Sequence, residues 1–265
     1  MKIALKFAYD GSKFHGYARQ PQLKTVEGGI IKTLIKHGFI EDTTESGFKS
    51  ASRTDKGVSA LGNVIAFNSE ASKGRIFQNL KNDLTDILIY GFKKVEADFY
   101  PRYAKQRRYR YYLKNKDLDV EKVLSAATSF AGEYDFSNFA RLEEFKDPVR
   151  TIDNIIITEQ IIITEQDDFL IIDFYAQTFL WNQIRRIVSA IQKMGIGILE
   201  KEQIIEALHN PSKKFDFGLA PAEPLILTDI LYDFKFEYDK KLLESLKDFE
   251  KILFHHFRDS TNFNW

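Results

Sequence analysis

The chain has 265 residues, with 38 lysines and arginines balanced by 38 aspartates and glutamates, and it contains no cysteine. The lack of cysteine excludes disulfides, thiolate metal sites and cysteine nucleophiles, and a net charge of zero is unlike that of a bulk nucleic-acid binder. The sequence contains no uncharged apolar run of about 18 residues, so it predicts no membrane span. The first residues lack a signal-peptide core, so we expect a cytoplasmic protein without membrane contact.

The first hundred residues predict strands and helices in the order β-α-β-α-β. Alternating apolar residues indicate strands, and Thr25 is placed to cap the first helix. No glycine-rich phosphate loop is present. The predicted elements are strands over 2–10, around 64–67 and over 87–95, and helices from Val26 and over 74–84.

The following residues predict a second set of strands and helices. The predicted strands cover 107–114, 152–176 and 225–236, and the predicted helices cover 120–130, 179–194 and 200–209. We therefore predict an α+β fold of two similar α/β halves, residues 1–100 and 101–238, with mixed, mostly antiparallel sheets, helices on one face and a basic active-site cleft between the halves. Apolar residues at helical spacing predict a helical tail over 239–265.

The hexapeptide Ile-Ile-Ile-Thr-Glu-Gln occurs twice in succession, at residues 155–160 and 161–166. A six-residue copy preserves the alternation of a strand, so both copies can lie in one β-ribbon without changing face. We interpret the repeat as a hairpin extension without a chemical role.

Residues 101–116 contain basic residues and tyrosines but no acidic residue. Basic groups neutralise phosphates, and aromatic rings stack on unpaired bases. The alternative is an edge strand whose charges discourage aggregation; the interleaved tyrosines favour RNA binding. The basic residues are Arg102, Lys105, Arg107, Arg108, Arg110, Lys114 and Lys116.

The segment A-S-R-T-D-K-G-V-S-A at 51–60 places Arg53 two residues before Asp55 and Gly57 two residues after it. It precedes a predicted strand, and loops held by a scaffold are where catalytic residues are common. In an extended segment Arg53 and Asp55 would point to the same side. An ordinary turn with a solvated ion pair explains the same residues, so this segment alone does not distinguish a catalytic loop from a surface turn.

This segment resembles the G-R-T-D-x-G-V-H-A signature of the tRNA pseudouridine synthase A family, with Ser52 and Ser59 in place of glycine and histidine. Four further segments resemble family motifs in the family's order, although Tyr17, Pro101 and Pro224 depart from them. They are Y-D-G-S-K-F-H-G-Y at 9–17, F-Y-P-R-Y with R-R-Y-R-Y at 99–111, F-L-W-N-Q-I-R-R-I-V at 179–188 and A-P-A-E-P-L-I-L at 220–227.

The resemblance implies an isomerase that converts uridine to pseudouridine in the anticodon stem-loop of tRNA, at about positions 38–40, without a cofactor or metal. It makes Asp55 the essential carboxylate and Arg185 its charged partner, since a nearby arginine lowers an aspartate pKa by about 1–3 units. Tyr109 would stack on the flipped base and Leu225 would close the pocket. A homodimer is also implied.

The predicted RNA-binding residues are the two cations of the Asp55 segment and the arginines of the basic run. Such side chains bind phosphates through charge, and the resemblance places Arg53 beside the RNA. The set is Arg53, Lys56, Arg107, Arg108 and Arg110.

Two other functions remain open at this point. A non-catalytic RNA-binding or RNA-chaperone protein with the same fold would bind RNA in a salt-dependent way without isomerising it. A glycosidase-type enzyme usually has two carboxylates about 5–10 Å apart, and the Asp55 segment holds no second one. Whether Asp55 attacks the sugar, attacks the ring or removes a proton is also left open.

Overall fold

The computed structural model describes residues 1–160, 169–238 and 240–260. In chain order the strands are β1 (Lys2–Tyr9), β2 (Lys49–Ser50), β3 (Ser59–Asn68), β4 (Ile87–Lys94), β5 (Gln106–Lys114), β6 (Gly132–Asp135), β7 (Val149–Ile152), β8 (Asn154–Gln160), β9 (Phe169–Ala176), β10 (Leu225–Leu231) and β11 (Glu237–Tyr238). The helices are α1 (Val26–Lys36), α2 (Lys73–Asp83), α3 (Val120–Thr128), α4 (Gln183–Gly195), α5 (Lys201–His209) and α6 (Lys240–Ser260). The predicted α+β class with mostly antiparallel strands is confirmed.

The chain divides into two compact units. The first comprises Met1–Lys105 and the chain from Ile226 onward, and the second comprises Gln106–Leu225. None of the helices in the described ranges is both long enough and apolar enough to cross a membrane.

The first unit contains a sheet with the strand order β11-β4-β1-β3-β10, and β2 pairs with β3. Strand β1 lies between β3 and β4 and is antiparallel to both, so almost all of its residues are buried. Thr25 caps α1 as predicted, because its side chain accepts a hydrogen bond from the Gly28 N–H. The strand predicted around 64–67 extends back to Ser59, within the Asp55 segment.

The second unit contains the antiparallel strands β5, β9 and β8 and a separate pair formed by β6 and β7. Phenylalanines fill much of its core: Phe139 stacks on Phe217 with ring centroids 4.7 Å apart and meets Phe130 edge-on at 4.9 Å. The first copy of the hexapeptide lies in β8, which pairs with β9. The second copy lies outside the described residues.

The last part of the chain is divided differently from the predicted halves. Residues 226–238, predicted with the second half, belong to the first unit together with α6. The reason is strand pairing: β10 runs parallel to β3, and β11 is antiparallel to β4. The strand predicted over 225–236 is wrong beyond Leu231, because the chain bends at 233–234 before pairing resumes at Glu237.

The helix predicted from Phe179 begins instead at Gln183. Asn182 adopts a left-handed conformation with φ of 63°, which is incompatible with a continuous right-handed helix. Residues 179–182 therefore form an irregular segment leading into α4.

A partly buried ion pair in the first unit gives a test of its packing. Lys6 is 4% exposed and its ammonium group pairs with Asp229 on β10. Asp229→Ala would leave the lysine charge buried without compensation, so we expect the free energy of unfolding to fall by about 3–5 kcal/mol in urea denaturation.

Two controls separate this effect from other causes. The double variant Lys6→Met with Asp229→Leu removes both charges and should be about as stable as the natural chain. Asp86→Ala breaks the more exposed Lys24–Asp86 pair and should cost less than about 1 kcal/mol. A similar loss in Asp86→Ala and Asp229→Ala would contradict the account.

Candidate active site

Asp55 lies in a tight turn between β2 and β3. The Val58 N–H donates to the Asp55 carbonyl at 3.2 Å, and Gly57 has a φ of 88°. A turn with positive φ at its third residue favours glycine there, which explains the Asp-Lys-Gly-Val sequence. The turn leaves Asp55 half-buried and exposes both Arg53 and Lys56.

The opening segment of the chain holds this turn from one side. The Tyr9 hydroxyl and the Thr54 Oγ1 are hydrogen-bonded at 2.8 Å, and the Tyr17 N–H donates to the Thr54 carbonyl at 3.2 Å. Asn63 Nδ2 donates to the Ser52 carbonyl at 3.0 Å. The residue before Asp55 is thus fixed by both its side chain and its backbone.

Tyr17 replaces a family tryptophan and is almost fully buried behind the turn. Burial raises the pKa of its hydroxyl well above the ordinary value, so the side chain stays neutral at physiological pH. The family resemblance identified this position, but not its role as a support for Thr54.

Gly11 packs directly against the far end of the turn. A Cβ atom on Gly11 would lie 2.3 Å from the Val58 carbonyl oxygen, and its N–H donates to Ser59 Oγ at 2.9 Å. Ser59 stands where the family motif has a histidine. Its hydroxyl oxygen accepts the hydrogen bond that holds Gly11 against the turn.

Gly11→Ala should displace the Asp55 turn, because the added methyl group meets backbone that cannot move aside as a flexible side chain could. We expect a loss of about 1–3 kcal/mol in unfolding free energy and at least about a 10-fold fall in enzymatic rate. Gly74→Ala is the matched control, since nothing lies within 4 Å of its added Cβ. Full activity in Gly11→Ala would show that the turn tolerates displacement.

In the second unit, β5 distributes the basic run over two faces. Arg107, Tyr109 and Tyr111 share one face and are all less than 9% exposed. The Arg107 guanidinium donates to the Gln177 carbonyl. The Tyr109 ring meets Phe179 edge-on, with centroids 5.4 Å apart.

The other face of β5 carries arginines that already contact protein groups. Arg110 donates two hydrogen bonds to Asp173, at 2.8 and 3.0 Å, and this pair raises the arginine pKa. The Arg108 guanidinium lies 5.6 Å from the centroid of the Tyr175 ring. Much of the basic run is therefore engaged within the unit, and its predicted RNA contacts stay predictions.

Arg185 lies in the first turn of α4 and is bound to the segment that precedes β10. Its Nε donates to the Ala220 carbonyl at 2.7 Å, and the Ala220 N–H donates to the Arg185 carbonyl at 3.1 Å. The Tyr111 hydroxyl donates to the Pro221 carbonyl at 3.3 Å. Burial raises the pKa of Tyr111, and the charge of Arg185 partly opposes that rise.

Leu225 begins β10 and is 5% exposed. The segment before it is tied to β5, because the Tyr112 N–H donates to the Pro224 carbonyl at 3.1 Å. Tyr109, Arg185 and Leu225 thus belong to the second unit, of which Leu225 is the last residue, and Arg53, Asp55 and Lys56 share one turn of the first. Across the described ranges, no group of three His, Asp or Glu side chains is arranged to hold a metal ion.

Comparison with known proteins assigns the chain to a class of enzymes. A family model described as tRNA pseudouridine synthase matches residues 126–233. The tRNA pseudouridine synthase A of Thermococcus sibiricus is 46% identical, covering 93% of this chain and 91% of that protein. Those of Thermococcus kodakarensis and Pyrococcus abyssi are 42% and 44% identical, covering 91% and 93% of this chain and 89% and 91% of those proteins. The chain belongs to the tRNA pseudouridine synthase A family and is an isomerase, which confirms the resemblance.

Proposed function

We propose that this chain converts uridine to pseudouridine in the anticodon stem-loop of tRNA, at about positions 38–40, with Asp55 as the essential carboxylate. Family membership supports the reaction and the tRNA substrate. The observation that carries the assignment of Asp55 is its turn, in which backbone hydrogen bonds on both sides hold a half-buried carboxylate between two exposed cations.

The reaction breaks the C1′–N1 bond of uridine, rotates the detached uracil and joins C1′ to C5. C5 loses its hydrogen as a proton when it bonds to C1′, and the freed N1 gains a proton. No electrons are gained or lost and no heavy atom leaves the nucleotide, so the chemistry needs a carboxylate and a pocket but no redox partner. Carboxylates form covalent intermediates in other enzymes, and Asp55 would act either in this way or as the base that takes a proton from the sugar.

The other site residues would hold the base and the charge. A uridine within a stem must leave its stack, which costs a few kcal/mol, and the ring of Tyr109 offers a stacking surface. Leu225 would close the opposite side of the uracil. By the family resemblance, Arg185 stabilises the ionised form of the essential carboxylate.

Cations near the turn would neutralise the RNA backbone. Arg53 and Lys56 are exposed beside Asp55 and would contact phosphates next to the target nucleotide. On β5, Arg108 and Arg110 are half-buried and Arg107 is buried. We propose that Arg107 and Arg110 support the RNA-binding surface from within while Arg108 reaches the RNA.

We also propose that the enzyme works as a homodimer in the cytoplasm. The family resemblance supports the dimer, and a tRNA substrate fits the cytoplasm. Sedimentation equilibrium at micromolar concentration tests the oligomeric state: a mass of twice 30.8 kDa supports the dimer, and a single-chain mass contradicts it.

The proposed positions can be tested with tRNA transcripts that carry a uridine at one anticodon-stem position only. We expect pseudouridine, detected by chemical labelling and primer extension, at positions 38, 39 or 40 and not in transcripts with cytidine at all three. Conversion confined to other regions of the tRNA would overturn the positions. Binding without any conversion would instead support an RNA-binding protein.

A further inference from the structure

We propose that His256, on helix α6, is a positioning residue for the Asp55 turn and acts through Asp10. The proposal rests on the function assigned to Asp55 above. It concerns the tail of the chain, which lies after the last of the family motifs.

The carboxylate of Asp10 joins α6 to the opening segment. Its side chain is 8% exposed, and Oδ2 lies 3.1 Å from His256 Nδ1. Its Oδ1 accepts hydrogen bonds from the Ser12 N–H at 2.9 Å and the Ser12 hydroxyl at 2.7 Å. An ionised carboxylate only accepts hydrogen bonds, so His256 Nδ1 carries the proton in this contact.

Asp10 is linked to the Asp55 turn by consecutive side-chain and backbone contacts. Its Oδ1 caps the 3₁₀ turn Gly11–Lys13. Gly11, the first residue of that turn, donates to Ser59 Oγ and lies against the Val58 carbonyl, as described above. Because the Val58 N–H in turn donates to the Asp55 carbonyl, a shift of the 3₁₀ turn would move the backbone that carries the catalytic carboxylate.

Helix α6 is anchored so that His256 can act in this way. Leu253, one turn before His256 and on the same face, has no exposed surface. The helix packs against β3 and β4, and β3 is the strand that follows the Asp55 turn. The hydrogen bond from His256 is charge-assisted, because its acceptor is a largely buried, ionised carboxylate.

The test compares two substitutions of His256 under saturating tRNA. Asparagine places its Nδ2 donor close to the position of the histidine Nδ1, whereas leucine removes the donor and keeps the packing volume. We expect His256→Leu to lower kcat by about 10-fold with KM for tRNA within about twofold, since no RNA-binding cation is changed. His256→Asn should recover most of the lost rate. Lys247→Ala, at an exposed position of the same helix, is the control and should behave like the natural chain.

The outcomes distinguish this proposal from the assignment of Asp55. A wild-type kcat in His256→Leu, measured beside an inactive Asp55→Asn, would overturn the positioning role alone. Equal losses of kcat in His256→Leu and His256→Asn, matched by a lower folded fraction in each, would reduce His256 to a structural role and overturn the proposal. Activity in Asp55→Asn would overturn the role of Asp55 and the inference that rests on it.

Discussion

Replacing Asp55 by asparagine should abolish pseudouridine formation while leaving tRNA binding nearly unchanged. The amide has almost the same shape as the carboxylate, so the turn held by Thr54 and Gly57 should persist. It can neither attack the nucleotide nor accept a proton, and the loss of such a group costs at least about 10²–10⁴-fold in rate. Single-turnover conversion of a tRNA transcript, quantified by chemical labelling, measures the effect.

Two comparisons make the Asp55 result specific. Asp98→Asn changes an exposed carboxylate of the same unit and should leave the rate unchanged. The affinity of Asp55→Asn for tRNA should stay within a few-fold of the natural value, because Arg53 and Lys56 are retained. Conversion by Asp55→Asn at the wild-type rate would contradict the assignment of Asp55 as the essential carboxylate.

Arg185→Ala should produce the second largest loss. The proposed task of Arg185 is to favour the ionised carboxylate, and its guanidinium is oriented by the Ala220 carbonyl. Removing a charge that orients a reacting group costs about 10²-fold. We expect a loss of that size in kcat, with partial recovery in Arg185→Lys, which restores the charge but lacks the planar fork.

The neighbouring Arg186 is a matched control for Arg185. It lies on the same helix and its side chain pairs with Asp216, so Arg186→Ala should change kcat by no more than about twofold. The double variant Asp55→Asn with Arg185→Ala should be no slower than Asp55→Asn alone, because residues that act together are non-additive. Equal effects of Arg185→Ala and Arg186→Ala would contradict the role of Arg185.

Local patterns in the sequence predicted the elements that depend on local chemistry. The alternation of β1, the Thr25 cap and the turn at Asp55 each follow from a few neighbouring residues. The start of α4 was wrong because apolar spacing continues through residues 179–182, whereas the left-handed Asn182 ends the helical backbone there. Periodicity alone does not show such an interruption.

Features that depend on distant residues were beyond sequence reasoning. The acid-free run predicted RNA-binding cations, and it gave no sign that Arg110 pairs with Asp173, which lies 63 residues further along the chain. The return of β10 and β11 to the first unit likewise depends on pairing with β3 and β4. Motif resemblance made Asp55 and Arg185 the candidate residues, whereas the contacts of Gly11, Asn63 and His256 required the three-dimensional structure.

The most direct test of the central claim is tritium release from tRNA labelled at C5 of uridine, because joining C1′ to C5 expels that hydrogen. We predict that the purified chain, with EDTA present and no added cofactor, releases tritium from an anticodon stem-loop containing labelled uridine at positions 38–40, and that Asp55→Asn releases none. Tight binding of the same tRNA without tritium release by the natural chain would contradict the claim and identify an RNA-binding protein instead.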